Sequence, residues 1–255
     1  MCCKKPDLME ADSQKPVLFF DIDNCLYSRS KSPRNHNRST TDFRLDYQVL
    51  ELMSGLIYGY FKKHLGLLPE DAEQLARDYS NQYGQAIEGL VRHHQIDALD
   101  YNAKVDDALP LDDLIKPNPQ LRRFLEDIDT SKVRLWLLTN AYVNHGKRVV
   151  RLLAVDDLFE GLTYCDYAQV PFVCKPQQDM FLKAMKEAGV SDVSKCYFID
   201  DDSYKNCVGA QEAGWTAIHF IEEGVPAAET PAFQRQIRNL EELRSIYPEF
   251  FRVRN

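Results

Sequence analysis

Residues 17–27 (VLFFDIDNCLY) constrain the fold more than any other stretch of this chain. Residues 17–20 are apolar and bounded upstream by Pro16, which predicts a short buried strand. The run then breaks into Asp21 and Asp23, with Asn24 directly behind. Open α/β sheets gather their chemistry beyond the carboxyl ends of the strands, which is where these acids fall. Side chains two apart on an extended segment share a side, so both carboxylates aim at one point. Their repulsion calls for compensation, and a bound divalent cation is the usual source. A turn in which Asp and Asn bond to nearby backbone is the competing reading, and this segment alone does not choose between the two.

Further along, short apolar runs at 133–138, 162–165, 196–199 and 216–221 read as strands. Helical spacing separates them: a helix opening at Asn118–Pro119 as cap and first residue, then others over 149–159, 179–188 and 208–213. Alternating strands and helices imply an α/β fold, a doubly wound parallel sheet of Rossmann-like form. Residues 50–113 interrupt this pattern with helical spacing alone. Leu52, Met53, Leu56, Ile57, Tyr60, Phe61 and Leu65 mark one apolar face, a second helix starts near Pro69, and Ile87, Leu90 and Val91 mark a third. The expected organisation is a discontinuous core (15–27 and 114–225), an inserted helical module (50–113) and a tail (226–255) with one helix on the core. Residues 1–14 are polar and expected to fray, and the polar, basic stretch 28–49 reads as a flexible insertion.

The net charge of -8 argues against a general nucleic-acid or membrane-surface role. A small anionic substrate stays compatible with it, because a local cation inverts the field of a site. Seven cysteines are an odd number with no framework spacing, and the absence of a C-x-x-C pair argues against a structural zinc site or a thioredoxin-like motif. With no secretory h-region and no membrane-length apolar run, the cytosol, or the nucleus, is the expected compartment. The oligomeric state is left open.

The later strands end as the first does. Thr139 and Asn140 follow one, Lys175 precedes a proline that opens a helix, and Asp200, Asp201 and Asp202 close another. Each has a bland alternative: a helix cap, a solvated lysine, an acidic loop. Along one edge of a parallel sheet, however, they converge. Together they suit the transfer of a phosphoryl group. Asp21 would attack phosphorus, and Asp23 would serve as general acid and then general base. Thr139 and Asn140 would hydrogen-bond the phosphoryl group, and Lys175 would pair with it and with Asp21. Asp21, the Asp23 carbonyl, Asp200 and a neighbouring acid would complete an oxygen-rich Mg²⁺ site.

D-x-D-N, then a hydroxyl residue after a strand, a lysine and an acidic pair together resemble the haloacid dehalogenase superfamily over residues 17–220, the helical insert excepted. The second acid, Asp23, is similar to the phosphatase members, not the dehalogenases. DIDNCLY, YGQAIEGLV (83–91), the run 105–122, LLTNAYVNH (137–145), GLTYCDY (161–167) and CKP resemble the fungal pyrimidine 5′-nucleotidases more narrowly. That resemblance implies a helical cap of the C1 type, Mg²⁺ dependence and hydrolysis of UMP or CMP. Related members implicate other small phosphomonoesters, sugar phosphates or lysophosphatidic acid; a non-catalytic regulatory module is the remaining alternative. Asn24, Tyr83, Ile87 and Arg92 are the expected substrate contacts, and Asp21, Asp23, Asp200 and Asp201 the expected metal set.

Two features depart from the family pattern. FIDDDS carries one aspartate more than the usual pair, so Asp202 competes with Asp201 for the metal. Residues 33–48 intrude between matched segments, as an unspliced intron or gene-model error would; reading the transcript across the junction tests this.

Overall fold

The computed structural model describes residues 15–27, 48–221 and 235–253. Most of the insertion expected at 28–49 lies outside them, as do residues 1–14.

Strand β1 (Val17–Phe20) is buried on both faces, so it belongs inside a sheet and not at its edge. Its side chains divide by alternation. Leu18 and Phe20 enter one apolar cluster, Val17 and Phe19 another. The same division holds in β2 (Arg134–Thr139), where Leu135 and Leu137 face the first cluster and Trp136 and Leu138 the second. Strands β3 (Gly161–Tyr164), β4 (Cys196–Asp200), β5 (Thr216–Phe220) and β6 (Gln236–Ile237) complete the sheet. All neighbours are parallel, in the order β3-β2-β1-β4-β5-β6. This is the doubly wound order, and it reverses direction at β1.

Helices cover both faces, as parallel sheets require. One face carries α6 (Pro119–Glu126) and α7 (Val143–Leu152); the other carries α8 (Gln178–Ala188) and α9 (Asn206–Glu212). Asn118 caps α6 as its sequence predicts, accepting from the amides of Gln120 and Leu121. Helix α7 starts earlier than the apolar spacing indicates, at residue 143 and not 149. Its first turn is polar and holds Gly146, because it packs against a loop and not against a broad apolar face. A Cβ at Gly146 would stand 3.2 Å from Ile22 Cδ1, so this turn lies close on the chain leaving β1.

Between β1 and α6 lie α1 (Gln48–Leu65), α2 (Pro69–Tyr83), α3 (Ala86–His94), α4 (Ala98–Lys104) and α5 (Leu111–Leu114). The first four pack a third apolar cluster that includes Phe61, Ala76, Ile87, Leu90 and Tyr101, joined by Tyr167, Phe172 and Cys174 from the core. The tail differs from its expected single helix. Among its described residues it contributes β6 to the sheet edge, then the four-residue α10 (Leu243–Ile246) and single turns of 3₁₀ helix. No helix among the described residues is long and apolar enough to cross a membrane.

Candidate active site

The register of the sheet assembles the centre. Phe20 pairs with Leu137 on one side and with Ile199 on the other. One residue later, Asp21 and Asp200 therefore stand side by side, and the Asp21 amide still donates to the Ile199 carbonyl at 2.9 Å. Alternation turns both carboxylates toward the α8 and α9 face. Lys175 arrives from that face, just before α8. Its Nζ lies 2.8 Å from Asp21 Oδ1 and 2.7 Å from Asp200 Oδ2, and donates to the Leu138 carbonyl at 3.2 Å. All three side chains are almost wholly buried.

Such burial needs full pairing. Asp200 has it: besides Lys175, its carboxylate accepts from Asn206 Nδ2 at 3.1 Å and from the Asp202 amide at 2.8 Å. Burial tends to lower the Lys175 ammonium pKa, but Asp200 and Asp21 outweigh it and raise it above the ordinary lysine range. Asp21 is less well served. Burial pushes its carboxyl well above the usual range; Lys175 opposes this, and Asp200, Asp201 and Asp23 add to the rise. The site therefore holds more negative charge than its lysine balances.

The three consecutive aspartates have separate positions. Asp200 points inward to Lys175. Asp202 Oδ1 accepts from the amides of Tyr204 and Lys205, capping the following turn. Asp201 brings a ligand atom to within 4.8 Å of atoms from Asp21 and Cys25. Asp200 bonds Lys175 and Asn206, while Asp21 and Asp201 bring carboxylate oxygens close to each other. Oxygen donors with surplus negative charge suit a hard divalent cation. Cys25 does not, because burial and the neighbouring aspartates push its thiol well above the ordinary value and keep it protonated.

Asp23 is held apart from this cluster. Its Oδ1 lies 2.8 Å from His145 Nε2 and accepts from Tyr27 Oη at 2.6 Å. Burial works to raise its carboxyl, but the His145 charge and the hydrogen bonds from His145 and Tyr27 bring it below the usual range. The sequence reading passed over His145. Its one signal was position: it lies in the first helical turn after the Thr139–Asn140 strand end.

Thr139 Oγ1 accepts from the Ala141 amide at 3.0 Å, which is the capping role weighed against it, and leaves the hydroxyl proton free to donate. Asn140 bonds the segment that carries Lys175. Its Nδ2 donates to the Lys175 carbonyl at 2.9 Å, and its Oδ1 accepts from the Lys175 amide at 2.7 Å. The side-chain amide thus holds the lysine backbone through one of its two Nδ2 protons and through Oδ1. Asn24 adopts a left-handed backbone (φ 65°), turning the chain after Asp23.

The expected cap contacts separate. Ile87 lies buried in the helical cluster. Arg92 pairs with the buried Glu88 and lies over the Tyr83 ring, whose hydroxyl meets His93 Nε2 at 2.7 Å. Gly84 and Gln85 lie against the Lys175 and Asn140 backbones, and beside them the Tyr83 carbonyl accepts from Cys174 Sγ at 3.6 Å. Gln85 Nε2 donates to the Asn140 carbonyl at 2.7 Å, and its Oε1 accepts from Tyr167 Oη at 2.9 Å. Gly84 has φ +89°, and a Cβ there would stand 2.8 Å from the Lys175 carbonyl, so only glycine fits. From the core side, Lys205 Nζ donates to the Ser80 carbonyl at 3.2 Å.

The comparisons agree with this geometry. A family model for haloacid dehalogenase-like hydrolases matches residues 16–214. Phosphate metabolism protein 8 of Saccharomyces cerevisiae is 37% identical over 227 residues, which are 86% of this chain and 65% of that protein. The chain thus spans somewhat less than two thirds of that relative's length. Among solved structures, a HAD phosphatase from Thermococcus onnurineus superposes with a TM-score of 0.59 at 17% identity, covering 93% of this chain and 100% of that one. The HAD-hydrolase YfnB of Bacillus subtilis, described as bound to magnesium, gives 0.53 at 16% identity over 91% and 98% of the two chains. These neighbours share the fold, and the family match, covering most of the sequence with the paired acids and the bridging lysine inside it, establishes that the chain belongs to the haloacid dehalogenase-like hydrolases.

Proposed function

We propose that this chain is a magnesium-dependent phosphomonoesterase acting on pyrimidine nucleoside 5′-monophosphates, UMP and CMP, through a phosphorylated Asp21. The observation that carries the reading is Lys175 Nζ bridging Asp21 and Asp200 at the point where the sheet reverses, with Asp23 held two residues beyond the nucleophile. A dehalogenase has no use for the second acid; an ester leaving group needs a proton, and Asp23 would supply it.

Asp21 and Asp201, with the Asp23 carbonyl, would hold the magnesium ion. Bound there, the ion supplies positive charge against the carboxylates and the phosphate oxygens. The chain's own residues do the rest. Lys175 fixes one Asp21 oxygen and leaves the other to attack phosphorus. The Lys175 charge and the Thr139 hydroxyl favour the phosphoryl oxygens as their negative charge shifts in the transition state. Asn140 keeps Lys175 in position from the backbone side. Asp23 protonates the departing ester oxygen and later takes a proton from the hydrolytic water. Gly84 and Gln85 join the helical insert to Lys175 and Asn140, so cap position and phosphoryl site are mechanically linked.

The pyrimidine assignment draws on the sequence resemblance, and the yeast relative's name, which refers to phosphate metabolism, fits phosphoryl chemistry. A substrate panel with Mg²⁺ tests it: UMP, CMP, AMP, GMP, sugar phosphates and lysophosphatidic acid, read as phosphate release. Preference for UMP and CMP is expected. Preference for another ester moves the substrate and keeps the chemistry. Absence of all turnover by folded protein overturns the enzymatic reading.

A further inference from the structure

His145 is almost fully buried, and its Nδ1 finds no hydrogen-bond partner among the described residues. A buried imidazole with an orphan nitrogen costs stability that an apolar side chain would spare, so its retention calls for a reason. Its other nitrogen supplies one. Nε2 meets Asp23 Oδ1, and because a carboxylate oxygen only accepts, Nε2 carries the proton. Tyr27 donates to the same oxygen. Among the described residues, both hydrogen bonds to the Asp23 side chain therefore end on Oδ1, and the side chain keeps 30% exposure while that of His145 keeps 1%. The close packing of Gly146 against Ile22 sets the first turn of α7, and with it His145, against the loop that carries Asp23.

We propose that His145 is a positioning residue for Asp23: by donating from Nε2 to Oδ1 it orients the carboxyl so that Oδ2 exchanges protons with the leaving group and then with water. The proposal rests on the phosphomonoesterase reading above. In the first half-reaction an Asp21 oxygen bonds to phosphorus as the ester P–O bond breaks. The bonding pair leaves with the ester oxygen, which takes the Oδ2 proton and departs as an alcohol. Asp23 becomes a carboxylate at that moment, and the two donors on Oδ1 stabilise the new charge. In the second half-reaction Oδ2 takes a proton from water as the water oxygen bonds to phosphorus. The bond from phosphorus to Asp21 breaks, and inorganic phosphate leaves.

The test compares two substrates that differ in their need for a proton. The nucleoside of UMP leaves as an alkoxide unless protonated; p-nitrophenyl phosphate releases a phenolate that needs none. With Mg²⁺, His145→Leu is expected to lower kcat/KM, which reports the half-reaction up to leaving-group departure, by about 10²-fold or more for UMP, the range of general acid–base catalysis, and by less than about tenfold for p-nitrophenyl phosphate. His145→Gln, which keeps a donor near the Nε2 position, recovers most of the UMP loss. Tyr27→Phe, which leaves the buried interior unchanged, shows the same substrate dependence on a smaller scale, so the idea stays testable if the leucine variant fails to fold. Equal losses in kcat/KM on both substrates, or no loss on UMP, overturn the positioning role. A parent protein that hydrolyses neither ester overturns the phosphatase reading itself.

Discussion

Asn140 and Lys175 exchange two hydrogen bonds between one side-chain amide and one peptide backbone, at 2.9 and 2.7 Å. The pair ties the end of β2 to the segment entering α8 and so sets the direction from which the Lys175 side chain enters the site. Asn140 also takes the Gln85 contact on its own carbonyl, which links the same point to the helical insert.

Asn140→Asp should therefore be nearly as damaging as Asn140→Ala. An aspartate still accepts from the Lys175 amide but has no proton for the Lys175 carbonyl. Both variants are expected to lose about 10–100-fold in kcat, of the size a small misplacement of a catalytic group produces, with little change in KM. Steady-state kinetics of the two variants checks this. An aspartate variant at parental kcat would contradict the reciprocal bonding.

Lys175→Met leaves Asp21 and Asp200 facing each other in a buried site without their cation. Removal of one partner from a buried ion pair costs about 3–5 kcal/mol, so the melting temperature should fall by many degrees. Added Mg²⁺ supplies part of the missing charge and should raise the melting temperature of the variant more than that of the parent. Equal shifts in the two proteins would show that the ion does not enter this cluster.

The three aspartates after β4 should be separable by thermal shift. Asp201→Ala is expected to abolish the Mg²⁺-dependent rise in melting temperature. Asp202→Ala should keep that rise while losing about 1 kcal/mol of stability, the usual cost of a lost cap, because its carboxylate serves the Tyr204 and Lys205 amides. The reverse pattern would return Asp202 to the metal set.

Asp106 offers a pH-dependent stability test away from turnover. Burial pushes its carboxyl up to about 6, above the ordinary carboxylate range, against the opposing charge of His145. An acid whose folded pKa lies above its unfolded value costs nothing below the unfolded pKa, and the cost is fully developed above the folded one. Asp106→Asn should therefore stabilise the metal-free protein by about 1–3 kcal/mol at pH 7, with the gain fading between pH 6 and 4. Denaturant unfolding of parent and variant across this range measures it. A constant difference at all pH values would exclude the titration.

The strands were readable because each is short, apolar and bounded by polar residues. The expected run at 133–138 is Arg134–Thr139, and that at 216–221 is Thr216–Phe220. Helix α7 was read late because its first turn buries a histidine and a glycine against a loop, a contact without helical periodicity. Strand β6 was missed because two residues in a mostly polar tail carry no alternation, and only the open edge of β5 recruits them.

What the sequence determined by itself was local in origin: apolar runs that must be buried, polar groups at their carboxyl ends, and a helical insert between the first strand and the rest. What only the tertiary structure decided was which of several chemically equivalent side chains does which task. Asp200, Asp201 and Asp202 are identical residues in a row. Sheet register turns the first toward Lys175, leaves the second facing Asp21, and a turn claims the third. His145 gained its partner the same way, through helix packing that joins positions 122 residues apart. Such assignments depend on distances across the sheet, and no pattern along the chain encodes them directly.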